Sequence, residues 1–80
     1  MPRKQKDDVF VSTKPSWEDA PAWANWLAQD ADGAWRWFEK KPFKMGFCWA
    51  VTLPSRGALA EYPDNQPHPN WTESLEERPT

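Results

Sequence analysis

The sequence predicts an α+β domain: one helix packed on a small antiparallel sheet built around a β-hairpin, with a short C-terminal helix. Three observations predict it. Apolar residues recur at helical spacing between residues 20 and 29, the period falls to two over 34 to 40 and 47 to 53, and seven tryptophans in 80 residues supply large rings for one core.

Size makes those rings necessary. A chain of 80 residues buries only about 60 to 65% of the surface its unfolded form exposes, so its stability is marginal unless burial is concentrated. Seven Trp, four Phe and one Tyr do this, each able to bury on the order of 150 to 250 Å².

Taken in order, residues 1 to 8 are charged and aperiodic and are expected to be a tail; the domain is expected over 9 to 76, with 77 to 80 as a second tail. Val9 to Ser12 is a β-favouring run that suits an edge strand. Ser16 and Asp19 are good cap residues and Pro21 suits a first turn, so the main helix is expected within 16 to 30, centred on 20 to 29. Trp23, Trp26, Leu27 and Asp30 then share one face, and Gly33 ends the helix.

Beyond Gly33, Trp35, Trp37 and Glu39 alternate with Arg36, Phe38 and Lys40, the pattern of a strand. Residues 41 to 46 are punctuated by Pro42 and Gly46 and are expected to be a loop. Phe47, Trp49 and Val51 alternate with Cys48, Ala50 and Thr52, so 34 to 40 and 47 to 53 form the expected hairpin. Residues 58 to 62 offer a further strand. Asn70 is placed to cap a short helix over 70 to 76 that docks Trp71 and Leu75 onto the domain.

Composition narrows the function. The single cysteine, Cys48, excludes an intrachain disulfide and fits a reducing cytoplasm. No secretory signal or apolar membrane span is recognisable, so no membrane partner is expected. A net charge of −2 argues for solubility and against a broad phosphate-neutralising surface. Charge is nonetheless segregated, with Arg36, Lys40, Lys41 and Lys44 in the middle of the chain and Glu73, Glu76 and Glu77 near its end.

Catalytic and metal signatures are not recognisable, and no enzyme activity or cofactor is expected. His68 lies between prolines, without a carboxylate or cysteine at ligand spacing. Cys48, among apolar neighbours in an expected strand, is read as a small buried hydrophobe. Asp30-Ala31-Asp32-Gly33 resembles the opening of a calcium loop, but Lys41 stands where that loop needs its closing glutamate, and turn chemistry suffices. Asn70-Trp71-Thr72 has the form of a glycosylation acceptor and carries no weight without a secretory signal.

The order Trp23-Ala24-Asn25-Trp26-Leu27-Ala28-Gln29-Asp30-Ala31-Asp32-Gly33, then Trp35-Arg36-Trp37-Phe38-Glu39-Lys40-Lys41-Pro42, Trp49 and Asn70-Trp71-Thr72-Glu73-Ser74-Leu75 resembles small Trp-rich accessory proteins of tailed bacteriophages and prophages, mostly without an assigned role. The resemblance covers roughly residues 15 to 76. It implies a short protein made in an infected bacterium and carries over no set of functional residues.

The aromatic and basic hairpin suggests a role. Its rings exceed what one helix can cover, so Trp35, Arg36, Trp37, Lys40, Lys41 and Lys44 are the expected partner-binding residues. The expectation is a non-enzymatic binding protein, monomeric or homodimeric, that contacts and could block a host or phage protein. The alternative is a single-stranded nucleic-acid binder that stacks bases on Trp35 or Trp37 beside Arg36 and Lys40.

Overall fold

The computed structural model describes residues 14 to 60 and 66 to 80. The expected tail at 1 to 8, the expected strand Val9 to Ser12 and the last residues of the expected strand 58 to 62 lie outside them. The described residues contain six short strands and two 3-10 turns, and no α-helix. This corrects the α+β expectation: the described residues are built from two antiparallel sheets.

Strands β1 (Trp26–Gln29), β2 (Trp35–Phe38), β5 (Gly57–Leu59) and β6 (Glu76–Glu77) form the larger sheet in the order β5-β2-β1-β6. Strands β3 (Phe43–Met45) and β4 (Cys48–Ala50) form a separate two-stranded sheet. The 3-10 turns η1 (Trp17–Asp19) and η2 (Trp71–Glu73) precede β1 and β6 respectively.

The expected helix over 20 to 29 is replaced by a turn and β1. The reason is burial on both sides: β1 is interior to its sheet, and Leu27, Ala28 and Gln29 are all buried. A short apolar run that is buried on both faces does not alternate, and periodicity then fails to separate it from a helix. The start signals are used differently as well. Ser16 does cap, its Oγ accepting from Glu18 N at 3.1 Å, but it opens only the single 3-10 turn η1. Pro21 O accepts from Ala24 N at 3.0 Å in a turn that delivers Trp26 to the sheet.

The Asp-Ala-Asp-Gly segment makes the β1–β2 hairpin. Asp30 N donates to Ala34 O at 2.8 Å, Gly33 N donates to Asp30 O at 3.0 Å, and Asp32 Oδ1 accepts from Ala34 N at 3.0 Å. Gly33 takes a φ of 98°, where a side chain would be strained. The hairpin register sets Leu27 opposite Trp37 and Gln29 opposite Trp35.

Opposed residues share a face, so Leu27, Trp37, Ala58 and Glu76 line one side of the larger sheet. Ala24, Leu27, Trp35, Trp37 and Ala60 form the core there, with Trp17, Ala20 and Trp23 packed against it. The Trp17 and Trp37 rings lie 5.0 Å apart at 58°. The edges of this cover are polar: Trp17 Nε1 donates to Glu76 Oε1 at 2.9 Å, Lys14 Nζ donates to Glu76 Oε2 at 2.8 Å, and the Arg78 guanidinium lies 5.4 Å from the Trp17 ring centre.

The C-terminal helix expected over 70 to 76 is also corrected. Asn70 makes no side-chain cap bond, η2 lasts one turn, and the chain continues as β6 against β1. The docking of Trp71 is nevertheless present, its ring meeting Trp49 edge-on at 6.4 Å. Binding continues past residue 76: Glu77 pairs with Trp26, and the Arg78 guanidinium donates to Pro21 O and Ala24 O at 3.0 and 2.7 Å. The peptide between Leu53 and Pro54, on the way from β4 to β5, is cis. Among the described residues no helix is long and apolar enough to cross a membrane.

Candidate functional site

The expected hairpin of 34 to 40 with 47 to 53 does not form; β2 pairs with β1 and β5, while β4 pairs with β3. Residues 43 to 45, expected in a loop, are β3. Between Met45 and Cys48 the loop is Gly46–Phe47, with Gly46 at φ 65° and no positive φ at any other described residue type. Those two residues give the primed turn that suits the twist of a tight hairpin.

This arrangement sorts the aromatic residues into two classes. Trp35 is 0% and Trp37 4% exposed, both in the core, so neither ring is presented to a partner or a nucleobase. Phe43, Met45 and Phe47 are 48, 60 and 82% exposed.

Register explains the difference. Phe43 and Met45 lie on one face of β3, across from Ala50 and Cys48, while Lys44 and Trp49 occupy the other face. Trp49 points that face toward the larger sheet, donating from Nε1 to Gln29 O and from its backbone N to Asp30 Oδ1, both at 2.9 Å. Phe47 O accepts from Ala31 N at 2.9 Å and fixes the turn. Phe43, Met45 and Cys48 are left outward, with Phe47 at the tip.

The basic residues divide similarly. Arg36 Nε donates to Asp30 Oδ2 at 2.8 Å and so belongs to the joint between the sheets. Lys40, Lys41 and Lys44 are exposed, and none forms an ion pair among the described residues. Lys41 Nζ lies 5.4 Å from the centre of the Trp26 ring. The six expected site residues therefore do not form one surface: two are core, one is structural, and three lysines flank the exposed hairpin. Sequence reasoning missed Phe43 and Met45, and counted Phe47 among the excess rings of the hairpin without including it in the expected site. The available signal was the alternation Phe43-Lys44-Met45 between Pro42 and Gly46, which a two-residue turn at Gly46 makes a strand.

Glu39 closes the base of this region. Its Oε1 accepts from Arg56 N at 3.0 Å and its Oε2 from Arg56 Nη2 at 3.3 Å. The backbone N–H of Arg56, the largest influence, acts with its guanidinium to hold the Glu39 carboxyl below the ordinary glutamate range against the opposing effect of desolvation.

Cys48 is exposed, contrary to the buried position expected for it, and its Sγ lies 3.4 Å from Met45 O. His68 is half-buried, with Nδ1 accepting from Asn70 N at 3.0 Å. Among the described residues no three His, Cys, Asp or Glu side chains are grouped to hold a metal ion.

No family model matches the chain, and no curated protein or solved structure matches it either.

Proposed function

We propose that this chain is a non-enzymatic binding protein whose contact surface is the outer face and tip of the β3–β4 hairpin. The observation that carries this is the exposure of Phe43, Met45 and Phe47 together on a hairpin whose other face is anchored by Trp49. Contiguous exposed apolar groups suit an interaction site, and a pre-positioned backbone lowers the entropy lost on binding. Lys40 and Lys41, just before β3, and Lys44, on the opposite face of β3, are all exposed and make the hairpin basic, which favours an acidic partner and faster encounter with it. The resemblance to phage accessory proteins supports a host or phage protein as that partner, with blockade of its surface as the effect.

The three lysines also support a second reading, a single-stranded nucleic-acid binder in which Phe43 and Phe47 replace the buried tryptophans as stacking rings. Affinity capture from bacterial lysate, with and without nuclease and at low and high salt, separates the two. A stoichiometric protein retained by the wild type through nuclease and salt, and lost with Phe43→Ala/Phe47→Ala, supports the protein reading. Capture that disappears with nuclease or salt supports the nucleic-acid reading, because phosphate contacts weaken steeply with ionic strength. Equal capture by the double variant contradicts both.

A further inference from the structure

We propose a second binding site, distinct from the hairpin face: the edge of β5, which pairs with no further strand among the described residues, and the groove beside it accept an extended peptide segment that adds one strand to the larger sheet. In the antiparallel ladder between β2 and β5, Ala60 N donates to Trp35 O at 2.8 Å and Glu39 N to Arg56 O at 3.0 Å. Ala58, opposite Trp37, falls in the same alternate set and directs its peptide groups inward. Gly57 and Leu59 therefore direct their N–H and C=O groups away from β2, and no partner for them is found among the described residues. Edges are usually guarded by a very short strand, lysine, proline or a bulge. β5 is short, but Gly57-Ala58-Leu59 carries no lysine or proline, whereas the free edge of β3 has Pro42 and Lys44.

A groove of about 350 Å³ opens alongside this edge, lined by Pro15, Asp19, Pro21, Trp37 and the β5 segment Ala58 to Ala60, Leu59 included. Strand addition places main-chain hydrogen bonds on the edge and alternate side chains in such a groove. A peptide residue opposite Ala58 projects to the same face as Ala58 and enters the groove over Trp37. Its neighbours bond Gly57 and Leu59. At the rim, Asp19 is exposed and forms no ion pair among the described residues.

The occupant that fits is an extended segment of a partner protein with a branched apolar residue opposite Ala58 and a basic residue two positions away on the same face. A second copy of this chain fits poorly. Antiparallel pairing of β5 with itself would set Ala58 against Ala58, leaving the groove unfilled, and would bring two acidic rims together.

The test is titration of the full ¹⁵N-labelled chain with the peptide acetyl-Lys-Thr-Leu-Thr-Lys-amide, followed by amide NMR and hydrogen exchange. The expected result is shifts confined to Gly57, Ala58, Leu59 and the Trp37 indole, with slowed exchange at the Gly57 and Leu59 amides. Replacing the central leucine of the peptide by serine should weaken binding about tenfold or more. N-methylation of both threonines should weaken it at least as much, because those amides face the edge. On the protein side, Leu59→Pro removes one outward N–H without touching the β2 ladder, and Ala58→Leu fills the groove; both should weaken binding, and Phe43→Ala/Phe47→Ala should not. Absence of shifts at millimolar peptide, equal binding of the N-methylated peptide, or shifts centred on β3 and β4 would overturn the proposal. So would a concentration-dependent dimer abolished by Leu59→Pro, which would assign the edge to a second copy.

Discussion

The carboxylate of Asp30 accepts the backbone N–H of Trp49 at 2.9 Å, and this contact ties the small hairpin to the larger sheet. The other oxygen of Asp30 accepts from Arg36 Nε at 2.8 Å, so one buried side chain is held by a donor from each sheet. Both bonds are charge-assisted and hence shorter and stronger than neutral ones. Asp30→Ala leaves the Trp49 N–H without its acceptor, and a cost of about 2 kcal/mol is expected. Urea unfolding measures the loss, and faster hydrogen exchange at Trp49 would place it at the joint.

Ser74 performs the corresponding task at the C-terminal end. Its Oγ accepts from Gln29 N at 2.8 Å and donates to Trp71 O at 2.6 Å, in buried surroundings that also hold Gln29. Ser74→Ala removes an acceptor from a buried amide, and a destabilisation of about 1 to 3 kcal/mol follows. Ser74→Thr retains the hydroxyl and is expected to recover much of this in the same unfolding experiment.

Glu39 makes stability depend on acid pH. Because the Arg56 backbone N–H and guanidinium lower its folded-state pKa below the unfolded value, its contribution is complete above the ordinary glutamate range and is lost as pH falls through the lowered value. Glu39→Gln should reduce stability at neutral pH and flatten the acid limb of its pH dependence. Thermal unfolding of both proteins from neutral pH downward, with the curves converging in acid, checks the sign.

Tryptophans and phenylalanines of the middle segment should behave oppositely. Trp35→Ala opens a cavity in the core, and its expected cost of about 3 to 5 kcal/mol is comparable with the whole stability of a chain this small. Phe47→Ala, at an 82% exposed position, should change stability by no more than about 0.5 kcal/mol. Equilibrium denaturation of the two variants under identical conditions tests the division.

That division marks how much was legible in the residues. The alternation of Trp35, Arg36, Trp37 and Phe38 correctly identified β2, and Ser16 was recognisable as a cap. Pairing was not legible, because β1 is covered on both faces and its apolar run imitates a helix. Once β1 is a strand, it takes β2 as its hairpin partner through Asp30 to Ala34, and β4 is released to pair with β3. Trp35 and Trp37, the rings expected on the surface, are then core. The lysines could be named from sequence, whereas the exposed rings depended on a turn at Gly46 and on which face Trp49 anchors.

The most direct test of the binding surface is to measure partner retention and thermal stability on the same three proteins: wild type, Phe43→Ala/Phe47→Ala and Lys40→Ala/Lys44→Ala. Nearly unchanged melting temperatures are expected, with at least about tenfold weaker retention without the phenylalanines and a smaller, salt-dependent loss without the lysines. Retention unchanged by the phenylalanine substitutions, or lost only in step with unfolding, would contradict a contact surface on the hairpin.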